Sequence, residues 1–134
     1  MGNGVPLIYS GQEEPVLRAL QFFEKDPIEF GKFGRAKFYK TLLALRKNNK
    51  ALSASASFRK LAAGDSAALY AYVRQQGSNR VVVILNFSGK EQEVRIGDKS
   101  LYGNPFNLFK GKAEAVSGKS WKIEPWGYAL YVYP

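Results

Sequence analysis

The acidic residues are the first place to look for chemistry in this sequence, because 134 residues contain no His and no Cys. That excludes a Ser-His-Asp triad, a His general base, a thiolate nucleophile, a disulfide, and a zinc site built on imidazole or thiolate. Any reaction would fall to carboxylates, Lys, Tyr, Ser or Thr. Paired carboxylates can divide acid and base work when a pocket holds them at a fixed separation. Glu13 and Glu14 are adjacent, and Glu91 and Glu93 share a strand face. Neither pair belongs to a recognisable pocket framework, so both read as solvated or structural, and no catalytic residue is assigned.

Ring chemistry is the second option. Aromatic faces stack on the apolar faces of pyranose rings, which makes Trp121 and Trp126 candidate sugar-stacking residues. Against this, Trp126 stands in a Pro-Trp-Gly turn, and Tyr128, Leu130 and Val132 alternate in the manner of core residues. Core or interface packing is therefore the competing reading for both indoles. Ser10-Gly11 and the Gly2-Asn3-Gly4 stretch lack the following helix and the Lys-Ser/Thr that cradle phosphates. No cofactor and no metal are expected.

The charge balance is 20 Lys+Arg against 11 Asp+Glu, a formal net charge of +9. Such an excess invites a polyanion. The basic residues are spread along the chain, however, in no run longer than Arg59-Lys60 or Arg46-Lys47. No helix-turn-helix, aromatic RNA-binding motif or zinc finger is visible, so nucleic acid is not an expected partner. No apolar run approaches the roughly 18 residues of a membrane span. Hydrophobic residues at 46% and aromatics at 14% describe a globular chain.

The elements that would position these groups fall into three zones. Val5-Pro6-Leu7-Ile8-Tyr9 is a continuous apolar run, the pattern of a strand buried on both faces. Gln12 to Phe33 is loop-like, punctuated by Pro15, Pro27 and Gly31, and its four Phe residues suggest an ordered loop packed on something. A helix is expected over about 34–49, where Phe38, Leu42 and Leu45 recur at helical spacing and Tyr39 and Leu43 widen the stripe. From Ala51 onward the chain reads as strands and turns. Leu69, Ala71 and Val73 alternate with an outward Tyr70, Tyr72 and Arg74, and a turn at 76–79 leads into Arg80 to Phe87 as a hairpin. Further strands are expected over 91–96, 106–109, 121–123 and 128–133. The fold class is mainly β, an antiparallel sandwich preceded by one orphan strand and one helix.

Five stretches, in order, resemble one family. Gly4-Val5-Pro6-Leu7-Ile8-Tyr9-Ser10-Gly11-Gln12-Glu13 is similar to the G-x-P-x-I-Y-x-G-Q-E segment on the eighth barrel strand of the α-amylase superfamily, glycoside hydrolase family 13. Phe22 to Ile28 resembles the loop that follows, and Phe38 to Lys47 the last barrel helix with its F-Y-x-x-L-x-x-L-R pattern. Val83 to Ser88 and Glu124 to Tyr128 resemble the N-F-S strand and the P-W/Y-G-Y terminal strand of the C-terminal β-sandwich.

The resemblance implies that residues 1–50 are the last strand, loop and last helix of a truncated (β/α)8 barrel, and residues 51–134 the sandwich. A whole barrel takes about 250 residues. The family's catalytic Asp, Glu and second Asp, with its sugar-binding His residues, lie on earlier barrel strands. The chain alone is then expected to be inactive and to support the catalytic barrel, whose reaction would be hydrolysis or transfer at α-glucosidic bonds. A retaining member needs two carboxyls about 5 Å apart. Gln12 and Glu13 would stand on the catalytic face, where strand C-termini point, in a supporting role. The partner of the intact enzyme would be an α-glucan or maltooligosaccharide. A different implied role is that of a non-catalytic carbohydrate-binding module. The exposed barrel remnant is expected to be covered by pairing between chains or by folding back on the sandwich.

Overall fold

A computed structural model describes residues 4–133; the stretch from Met1 to Asn3 and Pro134 lie outside the described residues. The chain forms two compact units, Met1–Asn49 and Lys50–Pro134. In the first, the expected helix is present as α1 (Ala36–Asn48). Its start has no side-chain cap. Backbone bonds stand in, with the amide of Arg35 donating to Glu13 O at 3.0 Å and that of Ala36 to Phe33 O at 3.0 Å. Arg46 and Lys47 complement the negative end of the helix dipole. None of the helix residues is buried.

The strand expected at Val5–Tyr9 is not formed: these residues are irregular. The cause is pairing. A strand exists only as part of a ladder, Pro6 has no N–H to contribute, and no other strand occurs in this unit among the described residues. Instead the segment lies beside α1, where Val5 to Ile8 and Tyr39, Leu42, Leu43 and Arg46 line a cavity of about 370 Å³. Arg46 Nη2 donates to Gly4 O at 2.7 Å. The loop aromatics are also less packed than expected. Phe22 and Phe23 are both exposed and meet chiefly each other, ring centroids 4.8 Å apart.

The second unit contains β1 (Ser57–Leu61), β2 (Leu69–Gln76), β3 (Asn79–Asn86), β4 (Gln92–Arg95), β5 (Phe106–Asn107), β6 (Lys112–Ala113), β7 (Ser120–Ile123) and β8 (Tyr128–Tyr133). A six-stranded sheet runs β1-β2-β3-β8-β5-β6, and β4-β7 pair separately. All pairings are antiparallel. The core between the layers takes Leu61, Val73, Val82 and Ile84 from the large sheet and Val94 and Ile123 from the small one. Each such side chain removed from water stabilises by about 1.5–3 kcal/mol.

Two expected strand faces need correction. Tyr72 and Arg74, read as outward, are buried, Arg74 completely. The sheet is covered on this second face too: the 3-10 turn Lys50–Leu52 packs on β2 and β3 and buries Ala51 and Leu52. The Arg74 guanidinium donates to Ser53 O at 2.7 Å and Ala56 O at 3.3 Å, which offsets its desolvation. In β8 the phase is reversed. Ala129 and Tyr131 enter the inter-sheet core, while Leu130 is buried on the second face. Strands β1 and β6 carry no clear alternation and were not expected, and the strand expected over 106–109 is only two residues long.

Candidate functional site

The residues that carried the sequence motifs fall into two places, one in each unit. In the first, the Gln12-Glu13-Glu14 turn follows Gly11, whose φ of 89° suits glycine. An added Cβ there would come within 3.0 Å of Val16. Gln12 Oε1 accepts from the Tyr9 amide at 2.8 Å and so closes the turn on itself. Glu13 contributes its backbone carbonyl to the start of α1, while its Oε2 is buried with no hydrogen-bond partner among the described residues.

The loop-holding carboxylate is the neighbour. Glu14 Oε1 accepts from the amides of Gly31 at 2.6 Å and Phe33 at 2.8 Å, and Oε2 from Lys32 at 3.1 Å. These backbone donors, Gly31 first and then Phe33, hold its carboxyl below the usual carboxylate range. A second clamp crosses the loop. Arg18 and Asp26 form a two-pronged ion pair at 2.5 and 2.6 Å, and this pair with the Gln21 amide brings the Asp26 pKa down to about 2.

In the second unit, the N-F-S and P-W-G-Y stretches meet at one corner. Asn86, 2% exposed, donates through Nδ2 to Lys90 O at 2.7 Å and Glu124 O at 2.8 Å. Its Oδ1 accepts from the amide and hydroxyl of Ser88 at 3.0 and 2.8 Å. The main chain closes the corner, with Trp126 N donating to Ser88 O at 3.0 Å and Asn86 N to Gly127 O at 2.9 Å. Gly127 is required by space: an added Cβ would stand 2.7 Å from Glu124 O. One buried amide thus ties residues 86–90 to residues 124–127.

The two indoles separate in character. Trp126 has a φ of 56° and is 67% exposed, on the surface of that corner. Trp121 on β7 is half-buried against the core, edge-on to Tyr131 at 6.2 Å with Lys110 Nζ 5.7 Å from its ring centre. Nearby, Glu114 accepts from Asn107, Lys110 and Tyr131 at 2.8, 3.1 and 3.0 Å. Burial opposes its ionisation, but these donors outweigh it and the carboxyl lies below its usual range. Burial and this carboxylate push the Tyr131 phenol up. The other acidic pair is plain surface: Glu91 bridges Lys122 at 2.7 Å, and Glu93 lies 3.5 Å from Arg95. Sequence patterning carries no sign of the Glu114 network or of the role of Glu14, since Tyr131 and the Gly31 to Phe33 amides come to them from 17 or more residues away along the chain. Among the described residues no acidic cluster could hold a metal, and no helix is long and apolar enough to cross a membrane.

No family model matches the chain, and neither does any curated protein. Solved structures do. The trehalulose synthase MutB from Pseudomonas mesoacidophila MX-45 superposes with a TM-score of 0.58 at 25% identity, over 73% of this chain and 17% of that one. Bacillus licheniformis trehalose-6-phosphate hydrolase gives a TM-score of 0.58 at 27% identity, over 72% of this chain and 18% of that one. These likenesses support a fragment of the α-amylase-family type. Its mainly β, antiparallel architecture with one helix matches the C-terminal domain of these glycoside hydrolase family 13 enzymes. It spans less than one fifth of their length. MutB variants have been solved with sucrose and with glucose.

Proposed function

We propose that this α-amylase-superfamily chain is the C-terminal segment of an α-glucan-acting glycoside hydrolase and supports its catalytic barrel. Residues 1–50 complete the barrel as its last strand, loop and helix, and residues 51–134 form the sandwich that follows it. The observation that carries this reading is the apolar surface of the first unit. Val5, Leu7, Leu17, Phe22 and Phe23 are all exposed, which a finished globular surface rarely tolerates. The Val5–Tyr9 stretch is strand-like in composition yet unpaired, as an eighth strand is without its seven neighbours. In that barrel Gln12 and Glu13 support the active face, and the buried Oε2 of Glu13 is satisfied by a donor from an adjoining strand.

The reading is tested by complementation. A family 13 barrel produced without its own last βα unit and sandwich is combined with this chain, and reducing-sugar release from maltooligosaccharide is measured. The expected outcome is activity only in the mixture. Hydrolysis by this chain alone would overturn it, since catalysis would then rest on its own residues. Without the barrel, the same apolar surface drives self-association, which light scattering reads directly. A second reading, a carbohydrate-binding module working through Trp126, is favoured by the exposure of that indole; maltooligosaccharide would then quench its fluorescence.

A further inference from the structure

Away from the Asn86 corner, a groove of about 370 Å³ opens between the β2–β3 turn and the loop after Leu101. Gln75, Ser78, Arg80, Tyr102, Asn104 and Tyr133 line it. Its volume is that of a small-molecule site. The Arg80 guanidinium is held in place by protein groups: Nε donates to Gln75 Oε1 at 3.1 Å and Nη1 to Ser100 O at 2.5 Å. Its Cζ stands 5.3 Å from the centre of the Tyr133 ring. Among the described residues no carboxylate lies within ion-pair distance of it, and its Nη2 is left to serve a ligand. Tyr133 Oη is buried and has no hydrogen-bond partner among the described residues.

Opposite this polar wall, Tyr102 is 77% exposed. The adjoining Gly103, with φ of 81°, makes the turn that carries it. The groove therefore joins one open aromatic face to a fixed guanidinium, a planar amide and a hydroxyl. An inorganic anion would engage Arg80 and leave Tyr102 uncovered. A pyranose matches all of them, since it has a flat C–H face and a rim of hydroxyls that both donate and accept.

We propose that the Tyr102–Tyr133 groove binds a glucosyl unit, with Tyr102 stacked on the ring and Arg80 and Asn104 bonded to its hydroxyls. The choice of an α-glucoside rests on the function proposed above; the groove itself does not.

The test is titration of the full ¹⁵N-labelled chain with maltotriose. Expected are saturable shifts in the amides of Ser78, Tyr102, Gly103 and Asn104, unchanged by 0.5 M NaCl. Tyr102→Ala should weaken binding about tenfold, and Asn104→Ala should weaken it with the fold intact by circular dichroism. Trp126→Ala should leave it unchanged. No shifts up to solubility, or shifts confined to Trp126, would overturn the proposal. So would an equal response to inorganic phosphate that salt abolishes, which would mark an anion site on Arg80. None of these outcomes touches complementation of a barrel, so the two proposals fail separately.

Discussion

The two units of this chain use apolar residues in opposite ways. In Lys50–Pro134, the central strands are buried on both faces, so that Val81, Val82 and Ile84 have no exposed surface. In Met1–Asn49, a comparable supply of Val, Leu, Ile and Phe lines clefts or faces water, and Gly11 is the one buried residue among those described. Composition is therefore a poor guide to what stands alone. The second unit closes its own ladders and its own core. The first has a helix and an apolar segment with no strand partner among the described residues of its unit, which the barrel proposed above would supply.

The largest expected difference between the units is in amide exchange. The Ile84 amide should exchange only on global unfolding, while Val5, Leu7 and Ile8 exchange at close to the rate of an open chain. Equal protection in both units would break the comparison. Next, Ile84→Ala should destabilise the sandwich by about 2–5 kcal/mol in urea melts. Leu43→Ala, at a side chain 41% exposed on α1, should cost under about 0.5 kcal/mol.

Asn86→Ala tests the corner rather than the core. It leaves the carbonyls of Lys90 and Glu124 without their donor, a loss of about 1–3 kcal/mol expected by the same melts. The smallest effect concerns acid. Asp98 takes the hydroxyl and amide of Ser100 and pairs with Arg59 at 2.7 Å, and these bring its pKa to about 2. A depressed carboxyl stabilises above its unfolded pKa and loses that contribution as pH falls through the folded one. Stability of the second unit should therefore decline between about pH 4 and pH 2, and Asp98→Asn should flatten that decline.

The legible parts of the fold are those whose causes are local. The β2–β3 hairpin announces itself through Val81 to Leu85 beyond a Gly77-Ser78 turn, and α1 through the spacing of Phe38, Leu42 and Leu45. What misleads depends on partners. Val5–Tyr9 has strand composition but no strand to pair with among the described residues of its unit. Arg74 looks like a solvent residue, and only the distant carbonyls of Ser53 and Ala56 make its burial tolerable. In Tyr128–Tyr133 both faces are apolar, so alternation cannot reveal which of them meets the small sheet. At the candidate site, sequence marks the turn after Gly11 but cannot choose between adjacent carboxylates. Glu14, not Glu13, holds the loop, because Gly31 to Phe33 happen to present their amides to it. The groove at Tyr102 joins residues from three separate stretches and leaves no local mark.

The strand order has a consequence for how this protein is made. β8 comes last of the strands along the chain, yet it lies in the middle of the large sheet, between β3 and β5. On the ribosome, then, β1-β2-β3 and β5-β6 emerge as two disconnected patches, each with an open edge of unpaired backbone. They join only when Tyr128–Tyr133 clears the exit tunnel and slides between them. Until that moment the nascent sandwich is exposed to strand exchange with its neighbours, and any premature stop before Tyr128 would leave it permanently in that state.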